Sequence, residues 1–159
     1  MTAPPSDYRP NVGIVVFNAA GQVWIGHRTG MSGDHAWQFP QGGVDEGEDL
    51  EAAARRELHE ETGMTSVGLI GRTRDWVMYD FPPEVLAQKK IGRNFKGQKQ
   101  IWFAFRFTGA DSEIDLAAHH EPEFSRWMWC DIDQVIDRVV HFKRDSYGRV
   151  IAEFRGLVR

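Results

Sequence analysis

Three glutamates with helical spacing are the residues best suited to chemistry in this sequence. Glu57 and Glu61 stand four positions apart and Glu60 lies beside them, so on a helix all three project toward neighbouring positions. Carboxylates held this close repel one another, and a hard dication bound between them removes the repulsion. Magnesium prefers oxygen ligands and is usually held by one or two carboxylates together with substrate phosphates. The spacing therefore predicts a magnesium site centred on this glutamate pair.

An ordinary solvent-facing helix is the alternative to a metal site. Acidic runs usually form such faces, and Glu51 with Arg55 has the spacing of an exposed ion pair. On a helical wheel, however, the stripe that begins with Leu50 and Ala54 continues into the glutamate pair. A solvated acidic face would not coincide with the apolar face, so the pattern favours a site that is partly buried.

The segment from Gly42 to Met64, GGVDEGEDLEAAARRELHEETGM, resembles the Nudix box, the signature motif of the Nudix hydrolases. Every fixed position of that motif is present: Gly42, Glu48, Arg56, Glu57, Leu58, Glu60, Glu61, Gly63 and Met64. The resemblance implies an α/β/α sandwich with a mixed central sheet, and hydrolysis of a phosphoanhydride in a nucleoside diphosphate linked to another group. It also implies that Glu48 and Arg56 brace the loop against the helix.

The same resemblance assigns the chemistry within the box. Glu57, Glu60 and Glu61 would be catalytic and would bind magnesium or manganese, with two or more ions present when substrate is bound. The backbone at Gly42 would approach the metal closely because glycine carries no side chain. Glu123 would be a further metal ligand or base, although an exposed loop acid is the simpler interpretation. The metal would neutralise phosphate charge and activate water, and one of the carboxylates could act as general base.

Segments outside the box resemble the bacterial RNA pyrophosphohydrolases, a subfamily that also hydrolyses dinucleoside polyphosphates. These segments are residues 8–13, 37–43, 97–100, 121–124 and 142–144. The implied reaction removes pyrophosphate from 5′-triphosphorylated RNA and leaves a 5′-monophosphate that marks the RNA for decay. The alternative is an enzyme that acts mainly on dinucleoside polyphosphates. A binding domain without catalysis would be expected to lack box residues, and none is missing.

The subfamily resemblance gives several outlying residues a role, each with a structural alternative. Arg9 would contact phosphate, or would be plain surface charge. Arg28 could stack on a base or bind phosphate through its planar guanidinium. Phe142 would stack on a base beside Lys143 and Arg144, as aromatic residues do in single-strand binders. Its alternative is to pack inward where a helix begins.

Apolar periodicity predicts the elements that must position these residues. Dense apolar and β-branched runs indicate strands at 11–17, 22–27, 66–70, 76–80, 100–107 and 125–130. The clearest helix covers 49–62 and ends at Gly63, and further helices are predicted at 131–138 and 143–157. Residues 81–97 are typical of a long, basic, irregular connection. Strands and helices interleave without regular βαβ spacing, which indicates a mixed sheet flanked by helices.

Composition limits the class of protein. The chain has 159 residues, of which 42% are hydrophobic and 26% charged, values typical of one globular domain (1–159) with frayed residues 1–7. No apolar run is long enough for a membrane span and no secretory leader is recognisable, so we expect a monomer in the cytoplasm. The net charge of -4 argues weakly against general nucleic-acid binding. The lone Cys130 lies in an apolar run and is expected in the core.

Two segments depart from the subfamily pattern and could border the substrate pocket. They are the loop 31–34 and the stretch 89–96. Trp37, close to the glycine turn, could also line that pocket. The loop histidines fit no zinc motif and are expected on the surface: His35, His119 and His120.

Overall fold

Strands dominate the chain, and the main helices lie between or after them. The computed structural model describes residues 7–87, 95–118 and 121–157. Its strands are β1 (Tyr8–Phe17), β2 (Val23–Arg28), β3 (Trp37–Gln38), β4 (Gln41–Gly43), β5 (Val67–Arg72), β6 (Val77–Asp80), β7 (Gly97–Phe107) and β8 (Phe124–Cys130). Its helices are α1 (Leu50–Thr62), α2 (Pro83–Leu86) and α3 (Arg144–Phe154). Short 3₁₀ helices cover Asp111–Glu113, Ile132–Gln134, His141–Lys143 and Arg155–Leu157.

The sheet is mixed, as the irregular interleaving of strands predicts. Strands β1 and β7 run parallel from Tyr8↔Gly97 to Phe17↔Arg106, and the remaining pairings are antiparallel. The main order is β3-β2-β1-β7-β5, with β4 paired to β1, β6 to β7 and β8 to β2. Strand β4 therefore joins the sheet beside the first half of β1, which places the glycine turn of the box next to the central strands.

Alternating residues of β1 serve two cores, one on each face of the sheet. Val12, Ile14 and Val16 pack on the side that contains the buried residues of α1. Val15 and Phe17 pack on the side that contains the buried residues of α3. Because a strand points successive side chains to opposite faces, this arrangement requires apolar residues at every position. The α/β/α sandwich expected from the resemblance is confirmed.

Helix α1 has the boundaries that its capping residues predict. Asp49 adopts an extended conformation and accepts a hydrogen bond from the backbone N–H of Ala52, at 3.0 Å. Gly63 ends the helix in the left-handed region with a φ of 77°, and its N–H donates to the carbonyl of His59. The predicted helix 49–62 is therefore confirmed, with its first residue as the cap.

The connection after β8 differs from the prediction. The expected helix at 131–138 is wrong, because this stretch forms a 3₁₀ helix at Ile132–Gln134 followed by turns. Most of its backbone bonds link residues three apart, as from Arg138 N–H to Val135 carbonyl, so the chain turns more tightly there than an α-helix. Val135 and Val139 are both buried, and the tight turns bring both into the core.

The second long helix begins one residue later than predicted. Lys143 belongs to the preceding 3₁₀ helix, and α3 runs from Arg144 to Phe154. Within the predicted irregular connection 81–97, the described part contains the helical turn of α2. Most of the divergent stretch 89–96 lies outside the described residues.

Several smaller expectations have clear outcomes. Cys130 is buried, as expected, and His35 is exposed, as is the loop 31–34. His119 and His120, like residues 1–6 of the expected frayed terminus, lie outside the described residues. Across the described ranges, no helix has the length and apolarity needed to cross a membrane.

Candidate active site

Arg56 connects the loop of the box to helix α1. Its Nε and Nη2 donate to the two carboxylate oxygens of Glu48, at 2.8 and 2.9 Å. Nη2 also donates to the carbonyl of Gly43 at 3.0 Å, and Nη1 donates to Glu57 Oε1 at 2.8 Å. The hydrogen bonds from Arg56 and from the Asp45 backbone N–H lower the pKa of Glu48 to about 2. The planar guanidinium thus makes the brace that the resemblance implies, and Glu48 stays ionised.

Glu57 and Glu61 form a desolvated carboxyl pair. Glu61 is only 8% exposed, and it points from α1 toward β4, where the Gln41 backbone N–H donates to its Oε1 at 3.4 Å. Burial is the main reason that the pKa of Glu61 is raised well above its usual value, and a hydrogen bond to Glu57 raises it further. Burial also raises the pKa of Glu57. These two neighbouring carboxyl groups favour their protonated forms, and a dication bound between them would stabilise their ionised forms.

Gly42 lies against the carboxyl group of Glu57. A Cβ placed on Gly42 would be 2.0 Å from Glu57 Cδ and 2.1 Å from Oε2. A side chain at this position would therefore displace the carboxylate, so glycine is required here for close approach. The cradle formed by Gly42, Glu57 and Glu61 offers only oxygen ligands, which matches the preference of magnesium.

Arg56 bridges Glu57 and Glu60, and the three box glutamates are not gathered around one point. Within residues 7–87, 95–118 and 121–157, no three His, Cys, Asp or Glu side chains stand in a metal-holding arrangement. Arg56 Nη1 donates to Glu57 at 2.8 Å and to Glu60 Oε2 at 3.4 Å, so a guanidinium balances these charges. The donor types fit a magnesium ion, and Glu57, Glu60 and Glu61 are the side chains that would hold it.

A polar cavity of about 240 Å³ lies near these carboxylates, where α2 and the 3₁₀ helix His141–Lys143 meet the sheet. It is lined by Arg28, Gln38, Gln41, Tyr79, Phe81, Val85, Gln98, Glu123, Phe142 and Lys143. Four of these were predicted from the sequence to bind substrate or metal: Arg28, Glu123, Phe142 and Lys143. Glu123 acts electrostatically on Glu61 and raises its pKa, so the cavity and the carboxyl pair share one electrostatic environment.

Phe142 and Lys143 have different positions in this cavity. Phe142 is half-buried and contacts Tyr79, with ring centroids 5.9 Å apart and planes at 43°. Lys143 is buried, and its Nζ donates to Gln38 Oε1 at 3.3 Å. Burial, and to a lesser degree the charge of Arg28, lowers the pKa of Lys143 to about 7. Its charge can therefore depend on an anionic ligand in the cavity.

The other predicted basic contacts lie outside the cavity lining. Arg9 is exposed on β1, and its guanidinium lies over Gly43, where Nη2 would be 2.7 Å from a Cβ. Arg144 is exposed at the start of α3 and does not line the cavity. Trp37, considered as a lining residue, is instead buried edge-on against His27, with ring centroids 5.1 Å apart.

Amide and aromatic residues of the cavity were not assigned roles from the sequence. Gln38, Gln41, Gln98 and Tyr79 come from three separate stretches of the chain and meet at one wall. One sequence signal could have identified part of this set. Gln98 and Gln100 stand two apart at the start of an aromatic-rich strand, so both project to the same face, and buried amides in such a strand are expected to serve a polar site.

Comparison with known proteins establishes the family. The profile of the NUDIX domain matches residues 7–153. The chain belongs to the Nudix family. This membership makes the chain a Nudix hydrolase.

Curated relatives and solved structures agree with the Nudix assignment. An RNA pyrophosphohydrolase of Caulobacter vibrioides is 57% identical over 96% of this chain and 88% of its own length. An RNA pyrophosphohydrolase of Rhodospirillum rubrum is 47% identical over 98% of this chain and 92% of its own. The structure of the E. coli dihydroneopterin triphosphate pyrophosphohydrolase superimposes with a TM-score of 0.68 at 19% identity, covering 92% of this chain and 98% of that one. At that identity the structural match supports the fold alone.

Proposed function

We propose that this Nudix hydrolase removes pyrophosphate from the 5′-triphosphate end of RNA and leaves a 5′-monophosphate. The observation that carries the proposal is the position of Phe142, Arg28 and Lys143 in one cavity near the Glu57/Glu61 pair. An aromatic ring beside basic groups suits a nucleobase next to its phosphates. The RNA pyrophosphohydrolases that are similar over nearly the whole chain support the same substrate.

The box residues provide the metal-binding half of the proposed site. Glu57, Glu60 and Glu61 bind magnesium or manganese, with Glu123 and the Gly42 backbone as further ligands. An ion held by these residues would neutralise charge on the phosphates and activate water for attack on phosphorus. A carboxylate of the set would accept the proton of that water, which suits groups whose pKa is raised by burial.

The basic residues provide the substrate-binding half. Arg28 and Lys143 face the triphosphate inside the cavity, and Arg9 and Arg144 contact phosphates from the rim. Phe142 stacks on a base near the 5′ end. This division of roles suits a monomer, and we propose that the enzyme acts in the cytoplasm as one domain.

A glutamine substitution tests the metal-binding half. Glu57→Gln keeps the size of the side chain but removes the negative charge, so pyrophosphate release from triphosphorylated RNA should fall about 10²-fold or more. A chelator should abolish release by the wild-type protein, and added magnesium should restore it. Glu51→Gln is the matched control, since Glu51 is paired only with Arg55 on the outer side of α1. Turnover that survives both Glu57→Gln and the chelator would overturn the proposal.

A further inference from the structure

A buried histidine anchors the loop 29–36, which connects β2 to β3. Residues 29–35 of this loop are all exposed, and both flanking strands contribute to the cavity lining. His27 is only 4% exposed, and its Nε2 lies 3.0 Å from the carbonyl oxygen of Gly33 within the loop. A carbonyl oxygen can only accept, so Nε2 must carry the hydrogen. His27 therefore donates a hydrogen bond from the sheet to the loop.

Both partners of this hydrogen bond have a constrained geometry. The His27 ring meets the Trp37 ring at 85°, with centroids 5.1 Å apart, and the two residues also pair across β2 and β3. Gly33 has a φ of 94°, although a Cβ there would meet nothing within 4 Å. Glycine is therefore favoured at this position by the backbone conformation and not by lack of space. The conformation that presents the Gly33 carbonyl to His27 depends on that glycine.

The same loop holds the backbone of Arg28 on both sides. The Arg28 N–H donates to the carbonyl of Ala36 at 3.0 Å, and the Met31 N–H donates to the carbonyl of Arg28 at 3.2 Å. Gly33 lies between Met31 and Ala36, so the His27 bond fixes the loop between the two points at which it holds Arg28. The pairing of β2 with β8 shifts register between His27 and Arg28, so the regular ladder does not continue through this position. The placement of Arg28 therefore depends on the loop.

We propose that His27 is a positioning residue, which holds the loop 29–36 in the conformation that directs Arg28 toward the polyphosphate of the substrate. Arg28 lines the cavity together with Phe142 and Lys143. An arginine side chain has many rotamers, and a backbone fixed on both sides reduces the entropy lost when its guanidinium binds phosphate. This inference rests on the proposed function for the role of Arg28.

Two variants break the hydrogen bond from opposite ends. His27→Phe keeps an aromatic ring against Trp37 but has no donor, and Gly33→Ala has room for its methyl group but disfavours the positive φ. Each should raise the KM for 5′-triphosphorylated RNA about fivefold, the size of effect expected for one hydrogen bond. The kcat should stay within about twofold, because Arg28 binds the ground state and the transition state alike. His27→Gln supplies an amide donor and should keep the wild-type KM.

A double-mutant cycle with Arg28→Ala separates positioning from a general loosening of the fold. Arg28→Ala alone should raise the KM for RNA. If His27 acts through Arg28, His27→Phe should raise the KM by less than about twofold further once Arg28 is absent. Glu113→Met is the matched control, since Glu113 anchors another loop, outside the cavity lining, by accepting from the N–H groups of Thr65 and Ser66 at 2.7 and 2.9 Å. It should leave the KM unchanged.

Magnesium binding gives a second readout. The Thr29 N–H donates to the carbonyl of Glu123 at 2.9 Å, where the loop leaves β2. This bond involves neither the His27 ring nor Gly33, so it should persist in both variants. Magnesium affinity measured by isothermal titration without substrate should therefore be unchanged by His27→Phe, whereas a general disturbance of the site would weaken it.

The outcomes are distinct from those of the proposed function. If His27→Phe keeps the wild-type KM, lowers kcat instead, or acts by the same factor with and without Arg28, the inference is wrong. If His27→Phe fails to fold, as judged by its thermal melt, Gly33→Ala decides in the same cycle, because its site is exposed. If RNA is not hydrolysed at all, the proposed function fails. The same cycle with diadenosine tetraphosphate, which also carries a polyphosphate, then decides the role of His27.

Discussion

At the scale of single residues, the fold shifts the pKa values of the box carboxyl groups in opposite directions. Glu48 receives both arms of Arg56 and is held ionised, with its pKa lowered to about 2. Glu61 is buried against Glu57, and its pKa is raised. Burial in the fold therefore separates an acid that acts as structural anchor from acids that can exchange a proton for a metal ion.

Magnesium binding should depend on pH through Glu57 and Glu61. The pKa of both carboxyl groups is raised, so at a given acidic pH they hold more protons than ordinary carboxyl groups, and these protons must leave before an ion can bind. Magnesium affinity should therefore rise with pH above the usual carboxyl range and level off once both groups are ionised. Isothermal titration across weakly acidic to neutral pH measures this dependence. Glu61→Gln should weaken binding and flatten the pH dependence, whereas Glu51→Gln should leave both unchanged.

At the scale of elements, helix α1 carries the acids and its caps fix where it begins and ends. Asp49 caps the first turn and Gly63 allows the chain to leave in the left-handed region. Both caps act locally, so they determine which residues of the box are helical independently of the substrate cavity. Because the cap fixes the residue at which the helix begins, it also fixes that Glu57 and Glu61 lie on the buried side.

Removing the N-terminal cap should lower stability more than it lowers catalysis. Asp49→Ala deletes the acceptor for the Ala52 N–H, and the free energy of unfolding should fall by about 1 kcal/mol. The kcat at a temperature well below the melting transition should change less than about threefold, because the helix remains packed against the sheet. Denaturant unfolding and steady-state kinetics measure the two effects. A large loss of kcat without a loss of stability would show that Asp49 acts in the site itself.

An element could be predicted from the sequence when the contacts that determine it are local in the chain. Helix α1 could be predicted because its caps and its apolar stripe lie within the helix. The stretch 131–138 could not, since its apolar spacing fits an α-helix, and the tighter turns are visible only in its hydrogen bonds between residues three apart. The burial of Lys143 under Gln38 depends on contact with β3, which no local pattern encodes.

The amide wall of the cavity shows the same limit for the site. The box could be read from one continuous segment, but Gln41, Gln98 and Gln100 meet only after β4 and β7 both pair with β1. The orientation of the Gln100 amide depends in turn on the Trp102 indole N–H, which donates to its oxygen. Their meeting is a property of tertiary structure, and the sequence showed only two glutamines, Gln98 and Gln100, at the start of an aromatic-rich strand.

At the scale of the whole molecule, the net charge of -4 repels a substrate that is itself a polyanion. Attraction must therefore come from a local group of basic residues rather than from the overall field. Arg28 and Lys143 line the cavity, and Arg9 lies over the glycine turn nearby. An acidic protein with a small basic site is suited to the end of an RNA chain, where few phosphates need to be contacted.

The measurement that tests the central claim most directly is a competition between two substrates. Triphosphorylated short RNA and diadenosine tetraphosphate are mixed with the wild type, with Phe142→Ala and with Leu69→Ala, whose side chain is exposed on β5 and outside the cavity lining. We expect RNA to be hydrolysed faster, and we expect Phe142→Ala to slow RNA turnover about tenfold or more through the loss of base stacking. Dinucleotide turnover should change less, and Leu69→Ala should change neither rate. Faster hydrolysis of the dinucleotide, with no effect of Phe142→Ala on RNA, would contradict the claim that this enzyme acts on RNA ends.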